Sequence, residues 1–320
     1  MRSRIDSYET IITRRRGGLG DESVNSPTFE RTCSFPNATT SRNIGFRTPL
    51  VTTPPDESRS RKRVTNVVLR TAWEDHANRW VEWVRSGYDD SYSRFHRRLF
   101  FDLVPAPGRR TLDLGCGDGR VSRDLAALGH RVIGIDASAT MIASATEAHC
   151  EIDFQQADAA ALPFSDGEFD CVVAFMSLHD FDDLPGAIRE SWRVLATGGH
   201  LCLAVVHPLT SAGFLETDVA EAPFVIEGSY LDDFHYKHTV SRGGVTMTFF
   251  GAHRPIQRYT EAIADAGFVI ERLREPAPPD EGVHTETGRR WQRLPLFLHI
   301  RAVKYTPSPN AQIERLSPRG

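Results

Sequence analysis

Three glycines at alternate positions, Gly115, Gly117 and Gly119, follow an apolar run that ends around Asp113 and precede an amphipathic segment. Glycine has no Cβ, so such a turn bends sharply and lets a ligand approach its backbone amides. A helix that opens after the turn points its first unpaired N–H groups into the same space. The chemistry this supports is the binding of a nucleotide-like cofactor at the carboxyl edge of a parallel sheet. Two further acids fall at comparable points. Arg131–Asp136 is a second buried-strand pattern, and it closes on Asp136 where a βαβ unit places the acid that accepts from ribose hydroxyls. Ile152–Asp158 is a third, closing on Asp158. Any one of these acids reads equally well as a helix N-cap; three at successive strand ends read as one site. The third glycine comes one residue too early for the Gly-x-Gly-x-x-Gly of dinucleotide enzymes, and no Tyr-x-x-x-Lys pair occurs, so a nicotinamide oxidoreductase is disfavoured.

These residues need a sheet to hold them, and the chain supplies the pattern for one. Phe169–Phe175 reads as a fourth strand, and Gly198-Gly199 introduces a fifth over His200–Val206. Between them fall helices with recognisable ends. One starts at Gly119-Arg120 and stops at Gly129, a second follows Ser138 as N-cap, and a third begins near Asp183 with Pro185 in its first turn. That third helix buries Ile188, Trp192 and Leu195; a fourth starts at His253-Arg254-Pro255, buries Ile256, Tyr259 and Ile263, and ends at Gly267. Phe268–Leu273 and Leu294–Val303 read as paired strands. The alternation predicts an α/β doubly wound sheet. Upstream, Trp73, Ala77, Trp80 and Val84 share one helical face, which either packs on the sheet or covers a cofactor.

The order of these features is informative: an acid and alternating-glycine turn, Asp136, Asp158 with Ala159 and Leu162-Pro163-Phe164, then Arg193-Val194-Leu195 before Gly198-Gly199. It resembles the methyltransferase type 11 branch of the class I S-adenosylmethionine-dependent methyltransferases, over residues 66–304. The resemblance implies a Rossmann-like sheet of seven strands, the last inserted antiparallel beside the fifth, and S-adenosylmethionine as methyl donor. It implies that Asp113 meets the methionine amino group, that Gly115 and Gly117 give close backbone approach, and that Asp136 accepts from the ribose. Asp158 and Ala159 then lie at the adenine and Ser138 and Met141 flank the adenosine, with Cys116, Ala137 and Phe175 completing the set.

A sulfonium methyl is already electrophilic, so the expected reaction is in-line SN2 displacement, in which the protein aligns an acceptor lone pair and excludes water. A hydroxyl or ammonium acceptor also needs a base. The candidates are His179, in Met176-Ser177-Leu178-His179-Asp180, and His207, before Pro208; Asp180 is placed to orient His179, and His235 and His253 rank lower. Each histidine reads alternatively as a hydrogen-bonded structural residue. The segment 209–252 carries Phe214, Phe224, Tyr230, Phe234, Tyr236, Phe249 and Phe250 where a short loop would suffice. It is assigned as an acceptor cap, the alternative being an insertion that covers the sheet edge.

Charge divides the chain. Residues 1–65 hold 12 Lys/Arg against 7 Asp/Glu, whereas the remaining 255 hold 26 against 35. The first segment lacks a core-forming pattern and is expected to be disordered, with Arg14-Arg15-Arg16 and Arg61-Lys62-Arg63 as solvated basic clusters; residues 305–320 are read likewise. No run of about 18 apolar residues occurs and the N-terminus has no apolar signal core, so neither a membrane span nor secretion is expected. The five cysteines form no Cys-x-x-Cys pair, which predicts buried thiols in a reducing, cytoplasmic setting and no metal site. An acidic catalytic domain repels phosphates, so a small-molecule acceptor is expected and a nucleic acid is not. The weighed alternatives are methyl transfer to RNA or protein and a non-catalytic cofactor-binding or scaffold protein. The oligomeric state is left open.

Overall fold

The computed structural model describes residues 61–305 apart from 89–90, 150, 218, 281–282 and 284–285. The expectations for residues 1–60, for the tail beyond Tyr305, and for Cys33 and Cys150 lie outside the described residues. Chain order is β1 (Lys62–Val64), α1 (Leu69–Arg85), a π-helical turn at Tyr92–His96, α2 (Arg97–Phe101), β2 (Thr111–Leu114), α3 (Arg120–Ala127), β3 (Val132–Asp136) and α4 (Ala139–Ala148). Then follow β4 (Asp153–Gln156), β5 (Phe169–Phe175), a 3-10 turn at Leu178–Asp180, α5 (Leu184–Val194) and β6 (Leu195–Val206). The remainder is α6 (Pro208–Ala212), β7 (Gly213–Leu215), β8 (Phe224–Ile226), β9 (Phe234–Arg242), β10 (Val245–His253), α7 (Ile256–Asp265), β11 (Phe268–Arg274), α8 (Glu286–Arg293) and β12 (Phe297–Lys304).

The main sheet has seven strands in the order β11-β12-β6-β5-β2-β3-β4. β12 runs antiparallel to both its neighbours, while β6-β5-β2-β3-β4 are mutually parallel, as the resemblance implies. The chain leaves β2 towards β3 and β4 and returns to β5 on the other side, which opens a crevice at the carboxyl ends of β2, β3 and β5. Side chains alternate across the sheet. Val172, Ala174, Leu201, Leu203 and Val205 face Ile188, Tyr259 and Ile263 of α5 and α7. Cys171, Val173, Phe175, Cys202 and Ala204 face Phe100, Val121 and Leu125 of α2 and α3. Burying both faces makes this sheet a near-continuous apolar run in sequence.

Local chemistry sets the helix ends. Ser138 Oγ accepts from Met141 N at 3.0 Å and starts α4; Asp183 Oδ1 accepts from Gly186 N at 2.8 Å and starts α5, with Pro185 in the first turn. Arg193, near the end of α5, donates to the carbonyls of Phe164 (2.7 Å) and Leu162 (3.0 Å) and to Glu190, so the Leu162-Pro163-Phe164 loop is locked onto that helix. These two short motifs, 30 residues apart in sequence, form one fastening.

The inserted segment is a small second sheet, β1-β9-β10, beside the β7–β8 pair, and α1 packs on β10. Its third strand corrects the expected boundary at residue 65. Lys62–Val64 pairs antiparallel with His235–Lys237, Arg61 donates to the Thr210 carbonyl, and the Arg63 guanidinium stacks 3.9 Å from the Phe234 ring centre. Lys62 and Arg63 therefore belong to a strand held by backbone pairing, with Arg61 just before it and both arginines set against aromatic rings, while the Lys62 and Arg63 side chains remain exposed.

Candidate active site

A cavity of about 400 Å³ opens at the crevice and runs from the glycine turn to the second sheet, within the range of small-molecule sites, roughly 300–1,000 Å³. Gly115 has φ +75°, and a Cβ there would lie 2.5 Å from Ser177 Cβ; only glycine lets the turn meet the segment after β5. Ser177 Oγ donates to the Leu114 carbonyl at 2.6 Å and secures that meeting. The backbone amides of the turn are used within the protein. Gly115 N and Cys116 N both donate to the Ile135 carbonyl at 2.8 Å, and Gly117 N donates to Asp136 Oδ2 at 2.9 Å. The glycines thus provide space rather than free donors, a refinement of the sequence reading. A Cβ on Gly117 (φ +55°) would meet only Trp80 Nε1, at 3.7 Å, so the floor of the cavity is open there.

The three acids line this end together. Asp136 sits between two amides, with Oδ2 accepting from Gly117 N and Oδ1 from Ser138 N at 2.9 Å each. Each oxygen keeps a second lone pair for a ligand hydroxyl. Burial pushes its pKa up, opposed by those two amides. Asp113 is 1% exposed and accepts from Ser122 Oγ at 2.6 Å. Burial, reinforced by Asp136 and Asp118 and opposed by the Ser122 bond, raises its pKa to about 7. A cationic ligand group is what such a carboxylate lacks. Asp158 is exposed, accepts from Ala160 N at 2.9 Å, and lies 3.3 Å from Arg70 Nη1 of α1. Cys116, Ala137, Ser138, Met141, Ala159 and Phe175 also line the cavity. Glu74 of α1 accepts from Thr140 Oγ1 at 2.7 Å, which fastens α1 over α4 and brings Trp73 and Trp80 to the wall. The helical face read as either core or cofactor cover is split: Ala77 is buried, while both tryptophans reach the cavity.

The same cavity is also lined by Tyr236, His238, Phe249 and Phe250 from β9 and β10 and by Arg61, Trp73, Met176, His179 and Asp180, while Phe181 stands against the glycine turn, where a Cβ on Gly115 would lie 3.1 Å from its ring. Met176 has φ +57°, a strained conformation for a non-glycine residue, held by its N–H bond to the Ala204 carbonyl at 2.8 Å. His179 is brought to the cavity, but burial, then Arg254 and Arg61, lower its pKa to about 3. It stays neutral near pH 7 and is a poor proton store, which argues against its expected role as base. Its Nε2 lies 3.6 Å from Asp180 Oδ1, too long for the hydrogen bond expected from their adjacency. His207 is not among the lining residues. It caps α6, Nδ1 accepting from Leu209 N at 3.0 Å, and its Nε2 lies 2.8 Å from Glu275 Oε1. A ring that caps a helix, stands beside a carboxylate and does not line the cavity is structural, so the expectation of a base here is corrected. His253 is held by Ser211 Oγ (2.7 Å) and the Tyr230 carbonyl (2.9 Å), and the Tyr230 hydroxyl accepts from Ile256 N at 3.1 Å; neither lines the cavity. The sequence left Trp73 open between core and cofactor cover and missed Tyr92, His96 and Phe297 as wall residues, which meet only through long-range packing.

Comparison with known proteins agrees with this geometry. Residues 112–203 match the family model of a methyltransferase domain. The demethylmenaquinone methyltransferase of Thermus thermophilus is 37% identical over 175 residues, covering 53% of this chain and 74% of that protein. That of Renibacterium salmoninarum is 38% identical over 113 residues, 35% of this chain and 48% of that protein, so the chain spans about half the length of such relatives. An S-adenosylmethionine-dependent methyltransferase structure from Mesorhizobium loti superposes with a TM-score of 0.54 at 26% identity, over 64% of this chain and 96% of that one. The fold and the acid-lined cavity define a class I S-adenosylmethionine-dependent methyltransferase, and the chain belongs to that family. S-adenosylmethionine, named for the Mesorhizobium loti protein, fits the residues: paired hydroxyls suit Asp136, an ammonium suits Asp113, and the open floor at Gly117 leaves room. Among the described residues no cluster suited to a metal is present, and no helix is long and apolar enough to cross a membrane.

Proposed function

We propose that this chain transfers a methyl group from S-adenosylmethionine to a small-molecule acceptor, with the donor at the glycine-turn end and the acceptor at the aromatic end of one cavity. The observation that carries this reading is the continuity of that cavity, acids at one end and β9–β10 aromatics at the other. S-adenosylmethionine supplies the electrophilic methyl. Asp136 holds the ribose, Asp113 the ammonium, and Asp158 with Ala159 the adenine, while Met141 and Trp80 exclude water. Several relatives bear names of small or carrier-bound acceptors: demethylmenaquinone, 2-phytyl-1,4-naphthoquinone, a rifamycin, and a malonyl-acyl carrier protein. Their names support a compact organic acceptor over RNA, as does the net negative charge of residues 66–320.

Incubating the full chain with methyl-labelled S-adenosylmethionine and a fractionated cell extract tests this. Label is expected in the low-molecular-weight fraction. Label in RNA or protein would favour the macromolecular alternative, and S-adenosylhomocysteine binding without any labelled product would favour a non-catalytic role in a cytoplasmic or other setting.

A further inference from the structure

Three buried polar atoms at the cap end of the cavity have no hydrogen-bond partner: Asp180 Oδ1, Trp73 Nε1 and His179 Nδ1. Leaving such groups unpaired is costly, because each has lost its water without gaining a substitute. The first two face one another. Burial, with Asp136 adding to it, holds the Asp180 pKa well above the usual carboxylate range against the opposing influence of the Trp73 indole and Arg254; the indole stands beside the carboxyl, yet Asp180 Oδ1 and Trp73 Nε1 each lack a completed bond. The fold also makes room here. A Cβ on Gly251 of β10 would lie 2.7 Å from the Tyr236 hydroxyl and 3.1 Å from Asp180 Oδ1, so only the bare glycine leaves both oxygens their space. Around them the wall is aromatic: Trp73, Tyr236, Phe181, Phe249 and Phe250. Trp80 bridges two of these edge-on, 5.9 Å from Trp73 and 6.1 Å from Phe249 between ring centres.

We propose that the acceptor is a flat, largely apolar molecule bearing a hydroxyl, and that this hydroxyl is held between Asp180 Oδ1 and the indole N–H of Trp73. This rests on reading the aromatic end as the acceptor site. A hydroxyl donates one hydrogen bond and accepts others, so one oxygen satisfies both orphaned groups at once. A ketone could pair with Asp180 only in the carboxyl's protonated form, whereas a hydroxyl pairs with either form. An ammonium offers Trp73 no lone pair. The aromatic wall selects the shape, since flat rings bury well against edge-on and face-on partners. Asp180 and Trp73 come from segments far apart in sequence, joined where α1 crosses the 3-10 turn after β5. Leu69 N, at the start of α1, donates to Asp182 Oδ1 at 2.8 Å and fixes that crossing. Asp180 is on this account the specificity-determining contact, and Trp73 its partner.

The test uses 2-naphthol and 2-fluoronaphthalene, which share a flat skeleton and differ in the hydroxyl. Binding of each to the full chain saturated with S-adenosylhomocysteine is measured by equilibrium dialysis, for the unaltered protein, Asp180→Ala and Trp73→Phe. The unaltered protein should prefer 2-naphthol by about tenfold. The preference should fall to within about twofold in Asp180→Ala, and by about threefold in Trp73→Phe, which keeps an aromatic side chain but lacks the donor. Absence of preference in the unaltered protein, or a preference unchanged in both variants, overturns the proposal, the latter meaning that Trp73 and Asp180 serve only each other. Calorimetric titration of S-adenosylhomocysteine on the same samples separates the two readings. Affinity retained within about threefold shows that the variants are folded, and failure of the unaltered protein to bind it overturns the donor site and this assignment with it.

Discussion

At the glycine-turn end of the cavity the site is made from carboxylates at strand ends and from backbone held in the main sheet, whereas at the cap end it is made from side chains of several distant segments. Asp113 lies near the end of β2, Asp136 ends β3 and Asp158 comes just after β4, so the sheet that buries Leu112, Leu114 and Ile135 also places the acids. Asp180, Trp73, Tyr236 and Phe250 come together only when α1, the segment after β5 and the β9–β10 hairpin have all packed. A site of the first kind is rigid and chemically general; one of the second kind changes with few substitutions while the donor end is untouched. That separation lets one sheet serve a fixed donor and a variable acceptor.

The sharpest way to break the comparison is Gly117→Val. A β-branched residue at φ +55° is strained and its methyls enter the open floor, so S-adenosylhomocysteine binding should drop by more than about a hundredfold in calorimetry. Asp113 gives a second test through pH. With burial raising its pKa to about 7, the carboxylate proposed to meet the ligand ammonium is lost as pH falls below 7. Affinity for S-adenosylhomocysteine should decline from pH 7 to 5 by up to about tenfold per unit. The ligand-free protein should behave oppositely. A carboxyl whose folded pKa is raised binds more protons folded than unfolded between about pH 4 and 7, so its contribution to stability falls as pH rises through that window. Asp113→Asn should therefore weaken ligand binding and raise the ligand-free Tm at pH 8. A flat affinity profile would remove Asp113 from the site.

The cap end predicts smaller effects. Phe250→Ala should raise the acceptor KM by about threefold to tenfold through lost apolar contact, leaving S-adenosylhomocysteine affinity within about threefold. Tyr230→Ala should instead lower Tm with no specific change in KM, since its hydroxyl meets Ile256 N at the start of α7. Least of all, a chain starting at residue 66 should melt about 2–4 °C below one starting at residue 61, the scale of one lost kcal/mol for β1 and its arginine–aromatic contacts. Equal melting would return Arg61-Lys62-Arg63 to a solvated role.

What could be read from sequence follows the same division. The glycine turn, the three acids, Ser138 and Asp183 as caps, and the antiparallel last strand are chain-local or belong to the resemblance, and the sheet contains them where expected. β1 escaped because three residues, Lys62-Arg63-Val64, are too few to show alternation, and their partner strand is β9, more than 160 residues on in sequence. His207 sits at the end of β6 as expected, but what its ring faces depends on Glu275 after β11, which no local pattern discloses. His179 has the right place and the wrong proton affinity, because burial and two arginines act on it through the folded structure. Asp180 read as the partner of His179, whereas its orphaned oxygen and the tryptophan beside it appear only in three dimensions.

The division of the cavity is tested most directly by titrating S-adenosylhomocysteine into the unaltered protein, Asp136→Ala and Phe250→Ala under one set of conditions. Losing charge-assisted bonds to the ligand hydroxyls costs about 1.5–3 kcal/mol, so Asp136→Ala should bind roughly tenfold to a hundredfold more weakly, with Phe250→Ala within about threefold of the unaltered protein. Equal losses in the two variants, or none in Asp136→Ala, would contradict a donor site at the strand ends and an acceptor site at the cap.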